Sequence, residues 1–176
     1  WQAQYPDLYP VPEGGGGLAG ASGCRPLLQQ VQQQLPALGW SDYHGWWLAV
    51  GTGTTLAGLV LAEAGAHPVY GALAVPADHG VAQQVVDILQ EAGLNSGRYE
   101  LLDSSRGGFA KVDAELREFI QLSERYSGLP LEPLYTGKAL LALQAQVLAG
   151  RFAAGSRLIF VHTGGLQGRR GFADQA

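Results

Sequence analysis

Trp46-Trp47-Leu48-Ala49-Val50-Gly51-Thr52-Gly53-Thr54-Thr55-Leu56-Ala57-Gly58 is the stretch on which the fold turns. Its apolar opening, Trp46 to Val50, is too short for a helix and reads as a strand buried on both faces. A Gly/Thr turn follows, and then a small-residue helix from about Thr54 to Ala64, stopped by Gly65. The first amides of such a helix have no partner inside it, and the helix dipole adds positive potential there. An anionic phosphate satisfies both. The glycines allow close backbone approach, and the hydroxyls of Thr52, Thr54 and Thr55 add donors. The alternative reading is a plain strand-to-helix turn with a threonine cap. The loop lacks the Gly-Lys-Ser/Thr ending of a nucleoside triphosphate loop, and Leu56 stands where a dinucleotide fingerprint needs its third glycine.

Downstream, strand and helix patterns alternate. A second strand is predicted over Pro68 to Val75, and a helix over Gly80 to Ala92 with Val81, Val85, Val86, Ile88 and Leu89 apolar. A short strand follows at Tyr99 to Leu102. Asp113 reads as the N-cap of a helix carrying Leu116, Phe119, Ile120 and Leu122, which stops before Gly128 and Pro130. A further helix runs from Thr136 to Ala149, then a strand from Leu158 to His162 and the loop Thr163-Gly164-Gly165. Upstream, Trp1 to Gly23 reads as a Pro/Gly loop. Leu27, Leu28, Val31 and Leu35 predict one surface helix over Gly20 to Leu35, ended by Pro36. The expectation is an α/β domain: a twisted, mostly parallel sheet with helices on both faces. Ligands of such sheets lie outside the carboxyl ends of the strands, where both Gly/Thr loops emerge.

Composition narrows the function classes. The 176 residues suit a single domain; 47% are hydrophobic and 15% charged, as in a globular protein. A net charge of −4 with scattered basic residues lacks the footprint of a nucleic-acid binder. No apolar run reaches the ~18–20 residues of a membrane span, and no signal peptide is visible. The single cysteine, Cys24, fits a reducing compartment and an expected cytoplasmic location. Cys24 reads as a packed small residue, Trp46 and Trp47 as core, and His162 as a buried, hydrogen-bonded structural histidine. His44, His67 and His79 show no ligand spacing, so no metal site is expected. Glu13 reads either as ordering the glycine run Gly14 to Gly17 or as a solvated charge. The chain starts at Trp1 and contains no methionine, so a preceding N-terminal part is expected.

Four segments together carry a resemblance. They are Pro12-Glu13-Gly14-Gly15, Gly51 to Gly58, Leu134-Tyr135-Thr136-Gly137-Lys138-Ala139 and Phe160-Val161-His162-Thr163-Gly164-Gly165. In that order they resemble the pyridoxal-phosphate enzymes of the tryptophan synthase β-like fold type II, in the branch of D-cysteine desulfhydrase and 1-aminocyclopropane-1-carboxylate deaminase. The resemblance implies the C-terminal, cofactor-holding part of a two-domain enzyme that works as a homodimer on a small amino acid. It implies that Gly51, Thr52, Gly53, Thr54 and Thr55 hold the phosphate of pyridoxal 5'-phosphate and that Tyr135 acts near ring and substrate. Thr163 would place its hydroxyl by the pyridine nitrogen. Thr136 and Phe109 would face the substrate. Thr136 and Thr163 match the desulfhydrase pattern, which makes D-cysteine the best guess and the cyclopropane substrate the alternative. Phe109 stands where the family often has a tyrosine. The only lysines are Lys111 and Lys138, and neither lies in the family's Asn-Lys segment. The Schiff-base lysine is therefore expected upstream; otherwise the chain is a non-catalytic cofactor- or phosphate-binding fragment.

Overall fold

In the computed structural model, which describes residues 3–175, strand β1 (Gly45–Val50) is buried along its whole length. It is central because its side chains are apolar on both faces. Trp46, Leu48 and Val50 point into one core, and Trp47 and Ala49 into the other. Strand β2 (Val69–Leu73) pairs with it in parallel, Trp46 opposite Val69 and Val50 opposite Leu73. Beyond β2 lies β3 (Tyr99–Asp103), and on the other side of β1 lies β4 (Leu158–Val161), both parallel. The order is therefore β3-β2-β1-β4. At the edge, β4 keeps all four apolar residues only half-buried.

The larger core contains α3 (Thr54–Glu63) and α4 (Val81–Glu91), with α1 (Leu18–Cys24) and α2 (Pro26–Gln34) against them. The opposite face is covered by α6 (Thr136–Leu148), whose Ala139, Ala142 and Leu143 meet Trp47 and Phe160. Outside it, α5 (Ala114–Ser127) starts at Asp113, whose Oδ1 accepts the Leu116 N–H at 2.9 Å. Among the described residues, no helix is long and apolar enough to cross a membrane.

Two readings of the N-terminal region need correction. The loop assigned from Trp1 to Gly23 is helical from Leu18 onward, and Trp1 lies outside the described residues. The single helix over Gly20 to Leu35 is two, α1 and α2. Pro26 offers no N–H to continue the ladder, although Arg25 keeps helical angles (φ −58°, ψ −35°). A tight 3₁₀ turn, Leu35–Leu38, replaces the stop at Pro36. Residues 18–24 carry little apolar periodicity, and contact holds them helical. A side chain on Gly58 of α3 would begin 2.2 Å from the Ala21 carbonyl oxygen, so only glycine lets α1 and α3 approach so closely.

A buried polar knot ties the base of β1 to the end of α3. The Glu63 carboxylate accepts the Tyr43 hydroxyl and the Trp46 indole N–H, and the His67 Nδ1 lies 2.8 Å away. His67 stacks on Tyr43 with ring centres 4.2 Å apart. Every donor in this apolar setting thus has its acceptor.

Candidate functional site

A cleft of about 540 Å³ opens at the carboxyl ends of the strands. Its floor is Ala49, Gly51, Thr52 and Thr55, where β1 gives way to α3. The Gly53 N-cap provides no side-chain cap, and the first amide bonded back along the helix is that of Ala57, to the Gly53 carbonyl at 2.9 Å. The start of α3 is therefore uncapped where it meets the cleft, which is the arrangement an anion needs. Gly53 has φ +84°, and a Cβ there would lie 2.5 Å from Val85 Cγ2. The sharp turn that aims the helix at the cleft thus requires glycine.

The anticipated loop is divided in its roles. Gly51, Thr52 and Thr55 line the cleft. Gly53 packs on α4, and Thr54 is buried with its hydroxyl 3.1 Å from that of Thr52. The turn Glu13–Gly15 lies over the loop: a Cβ on Gly14 would fall 2.4 Å from Thr52 Oγ1. Glu13 lines the cleft as well, so it is part of the site wall.

Tyr135, Phe109 and Thr163 all reach the cleft. Tyr135 and Phe109 meet edge to face, ring centres 5.3 Å apart. Burial, then the charges of Glu132 and Glu13, push the Tyr135 pKa up, so its hydroxyl keeps its proton at neutral pH. Thr163 is exposed on the loop after β4, beside Gly164 and Gly165.

Thr136 does not reach the cleft. It is fully buried; its Oγ1 accepts the Glu132 N–H at 3.0 Å and lies 3.2 Å from Glu132 Oε1. The hydroxyl is taken up by the backbone N–H of Glu132 four residues upstream, and that local demand wins here. His162 is also corrected. It is exposed rather than buried, with Nε2 2.8 Å from the Pro130 carbonyl oxygen and Nδ1 accepting the Gly164 N–H at 3.1 Å.

Two charged residues were not legible as part of this architecture. Glu132 is fully buried and accepts the N–H groups of Leu134, Tyr135 and Thr136 at 2.7, 2.8 and 2.6 Å. It fixes the start of α6 and hence the place of Tyr135. Lys138 is 1% exposed, and its Nζ donates to the carbonyls of Ser105, Gly108 and Phe109 at 2.8, 2.8 and 2.9 Å. Burial pushes its pKa down, and the three acceptors match the three donors of an ammonium group. An acidic residue four places before a helix-starting threonine was the available signal for Glu132. His79, Gln84 and Gln167 also line the cleft, and no pattern in the sequence marked them.

No family model matches the chain. A protein of Pyrococcus furiosus named "Putative 1-aminocyclopropane-1-carboxylate deaminase" is 28% identical over 177 residues, covering 95% of this chain and 53% of the relative. A protein of the same name from Pyrococcus horikoshii is 30% identical over 177 residues, 95% of this chain and 52% of the relative. A crystal structure described as an ACC deaminase homologue superposes with a TM-score of 0.80 at 24% identity, covering 99% of this chain and 55% of that one. The chain spans about half the length of these relatives.

Proposed function

We propose, from the chain's membership of the 1-aminocyclopropane-1-carboxylate deaminase-like fold type II family, that its cleft holds pyridoxal 5'-phosphate. One observation carries this reading: the uncapped start of α3 meets Gly51, Thr52 and Thr55 on the floor of a cleft whose other side has an aromatic wall. The amides at the start of α3 and the hydroxyls of Thr52 and Thr55 would take the phosphate. Tyr135 and Phe109 would bound the ring, and Thr163 would offer a neutral hydroxyl to its nitrogen. When bound, the cofactor supplies an electron sink for the charge left at a substrate's Cα. Tyr135, protonated at neutral pH and lining the cleft, would give or share a proton near that carbon.

Neither lysine lines the cleft: Lys111 is exposed and Lys138 is buried beneath the Ser105–Phe109 segment. On this reading the chain is the cofactor-holding region, and an enzyme built on it would need a lysine that neither Lys111 nor Lys138 supplies. The reaction is a lyase reaction on a small amino acid. D-Cysteine and water would give pyruvate, ammonia and hydrogen sulfide. The relatives' names favour a second reading, 1-aminocyclopropane-1-carboxylate as substrate. With Thr136 buried against Glu132, only Thr163 still speaks at the cleft for the desulfhydrase pattern.

The test uses the full-length protein with added pyridoxal 5'-phosphate. A near-visible absorbance band that borohydride abolishes is the expected result, and a spectrum identical to free cofactor overturns the reading. Sulfide from D-cysteine supports the first substrate; 2-oxobutanoate from the cyclopropane amino acid supports the second.

A further inference from the structure

Lys138 is a buried charge, 1% exposed, and its partners are unusual. A buried ammonium is normally matched by a carboxylate. Here the three acceptors within reach are backbone carbonyls, and all belong to one short segment, Ser105 to Phe109. That segment leaves the end of β3 and crosses to Asp113 at the start of α5. Its root is fastened independently. Ser104 donates both N–H and Oγ–H to the Leu73 carbonyl, at 3.1 and 2.7 Å, and Asp103 Oδ1 accepts the Ser105 N–H at 2.8 Å. Its outer side is held by Arg106, which sits at φ +56° and pairs with Asp113 and Glu115. Such a φ is strained for a residue with a side chain and persists only where the surroundings enforce it.

The far end of the segment carries Phe109 into the cleft against Tyr135. The backbone carbonyl of Phe109 is itself one of the three groups bonded to Lys138. Lys138 also lies in the first turn of α6, three residues after its N-cap Tyr135, so the start of one helix fixes both rings. We propose that Lys138 is a positioning residue: its ammonium clamps the Ser105–Phe109 strap from below and thereby sets Phe109 against Tyr135 as the aromatic wall of the cleft. Its part in ligand selection rests on the cofactor reading above; the clamp itself does not.

The experiment compares the full chain with its Lys138→Met and Phe109→Ala variants and a variant carrying both. Amide hydrogen exchange is read without ligand. Binding is read for pyridoxine 5'-phosphate, which has ring and phosphate but no aldehyde to react with amines, and for inorganic phosphate. Lys138→Met should speed exchange over residues 105–110 and leave β1 and α3 unchanged. It should also weaken the ring-bearing ligand by up to about ten-fold through the lost aromatic wall, with inorganic phosphate unaffected. Phe109→Ala should give the same loss of ring preference, and the double variant should bind no more weakly than Phe109→Ala. Unchanged exchange in Lys138→Met overturns the clamp. A loosened strap with an unchanged ratio of the two affinities makes Lys138 merely structural and also overturns the proposal. Should Lys138→Met fail to fold, an unchanged ratio in Phe109→Ala overturns it alone. Absence of binding of either ligand by the unmodified chain sinks the cofactor reading and the ligand half of this proposal, while exchange still decides the clamp.

Discussion

The ring of Tyr135 lies so near Gly51 that a Cβ built on the glycine would sit 3.3 Å from Tyr135 Cε1. The end of the central strand and the start of α6 are thereby gauged against each other across the cleft floor. Gly51→Ala should push the ring outward by a few tenths of an ångström and lower stability by about 1 kcal/mol in urea denaturation. Adding Tyr135→Ala should remove most of the incremental cost of the alanine. Two fully additive losses would show that the ring and the glycine are not in contact.

Glu132 closes the start of α6 with three backbone hydrogen bonds. Glu132→Ala would leave buried amides without an acceptor, a loss of about 3 kcal/mol by urea denaturation. Glu132→Gln keeps an acceptor oxygen and should lose less. Because Tyr135 depends on this cap, Glu132→Ala should also alter exchange at residues 134–136. A stability change within experimental error would mean the carboxylate is replaceable by water.

Thr55 lines the cleft floor, and its hydroxyl accepts the Cys24 thiol at 3.8 Å. Thr55→Val keeps shape and branching and removes the donor. Affinity for inorganic phosphate should fall about five- to ten-fold, the worth of one hydrogen bond to a charged group. The melting temperature should stay close to that of the parent. Unaltered phosphate affinity would place the anion elsewhere.

Asp113 is held below the ordinary carboxylate range, first by the Arg106 hydrogen bond and then by the Leu116 N–H. Asp103 is lowered likewise, chiefly by Ser105. A carboxylate whose folded pKa is depressed stabilises the fold above its unfolded pKa and loses that contribution as pH falls through the folded value. Asp113→Asn preserves the N-cap and removes the charge. Its melting temperature should therefore trail the parent at neutral pH, and the gap should close as pH falls below 3.8, the ordinary value for this group. Side-chain exposure of 46% keeps the effect small. A gap that is constant with pH would show that charge is not involved.

The sequence displayed its fold where local chemistry and tertiary demand agree. Trp46 to Val50 is apolar on both faces and is buried on both. Asp113 caps the helix it was expected to cap. Where they disagree, the pattern was silent. The residues of α1 are too small to show periodicity, and their helix exists because Ala21 lies against Gly58. Glu132 and Lys138 look like surface charges until the backbone brings three amides to one and three carbonyls to the other. Thr136 bore a substrate-facing expectation by its neighbourhood in sequence, but as the first residue of α6, one after the N-cap Tyr135, its side chain turns inward to Glu132. The cleft's floor was legible because Gly51, Thr52 and Thr55 line it at the strand-to-helix turn that the apolar run and the glycines announce.

The half-buried β4 has a further consequence. Leu158 to Val161 pairs with β1 along one side, and as the last strand of the described sheet it turns a row of amides and carbonyls outward, flanked by apolar side chains. Such a border is a template for another extended chain. Handled by itself at high concentration, this polypeptide is at risk of sticking to its own kind there. A lysine placed on the rim of that strand should keep it dispersed without touching the loop from Gly51 to Thr55.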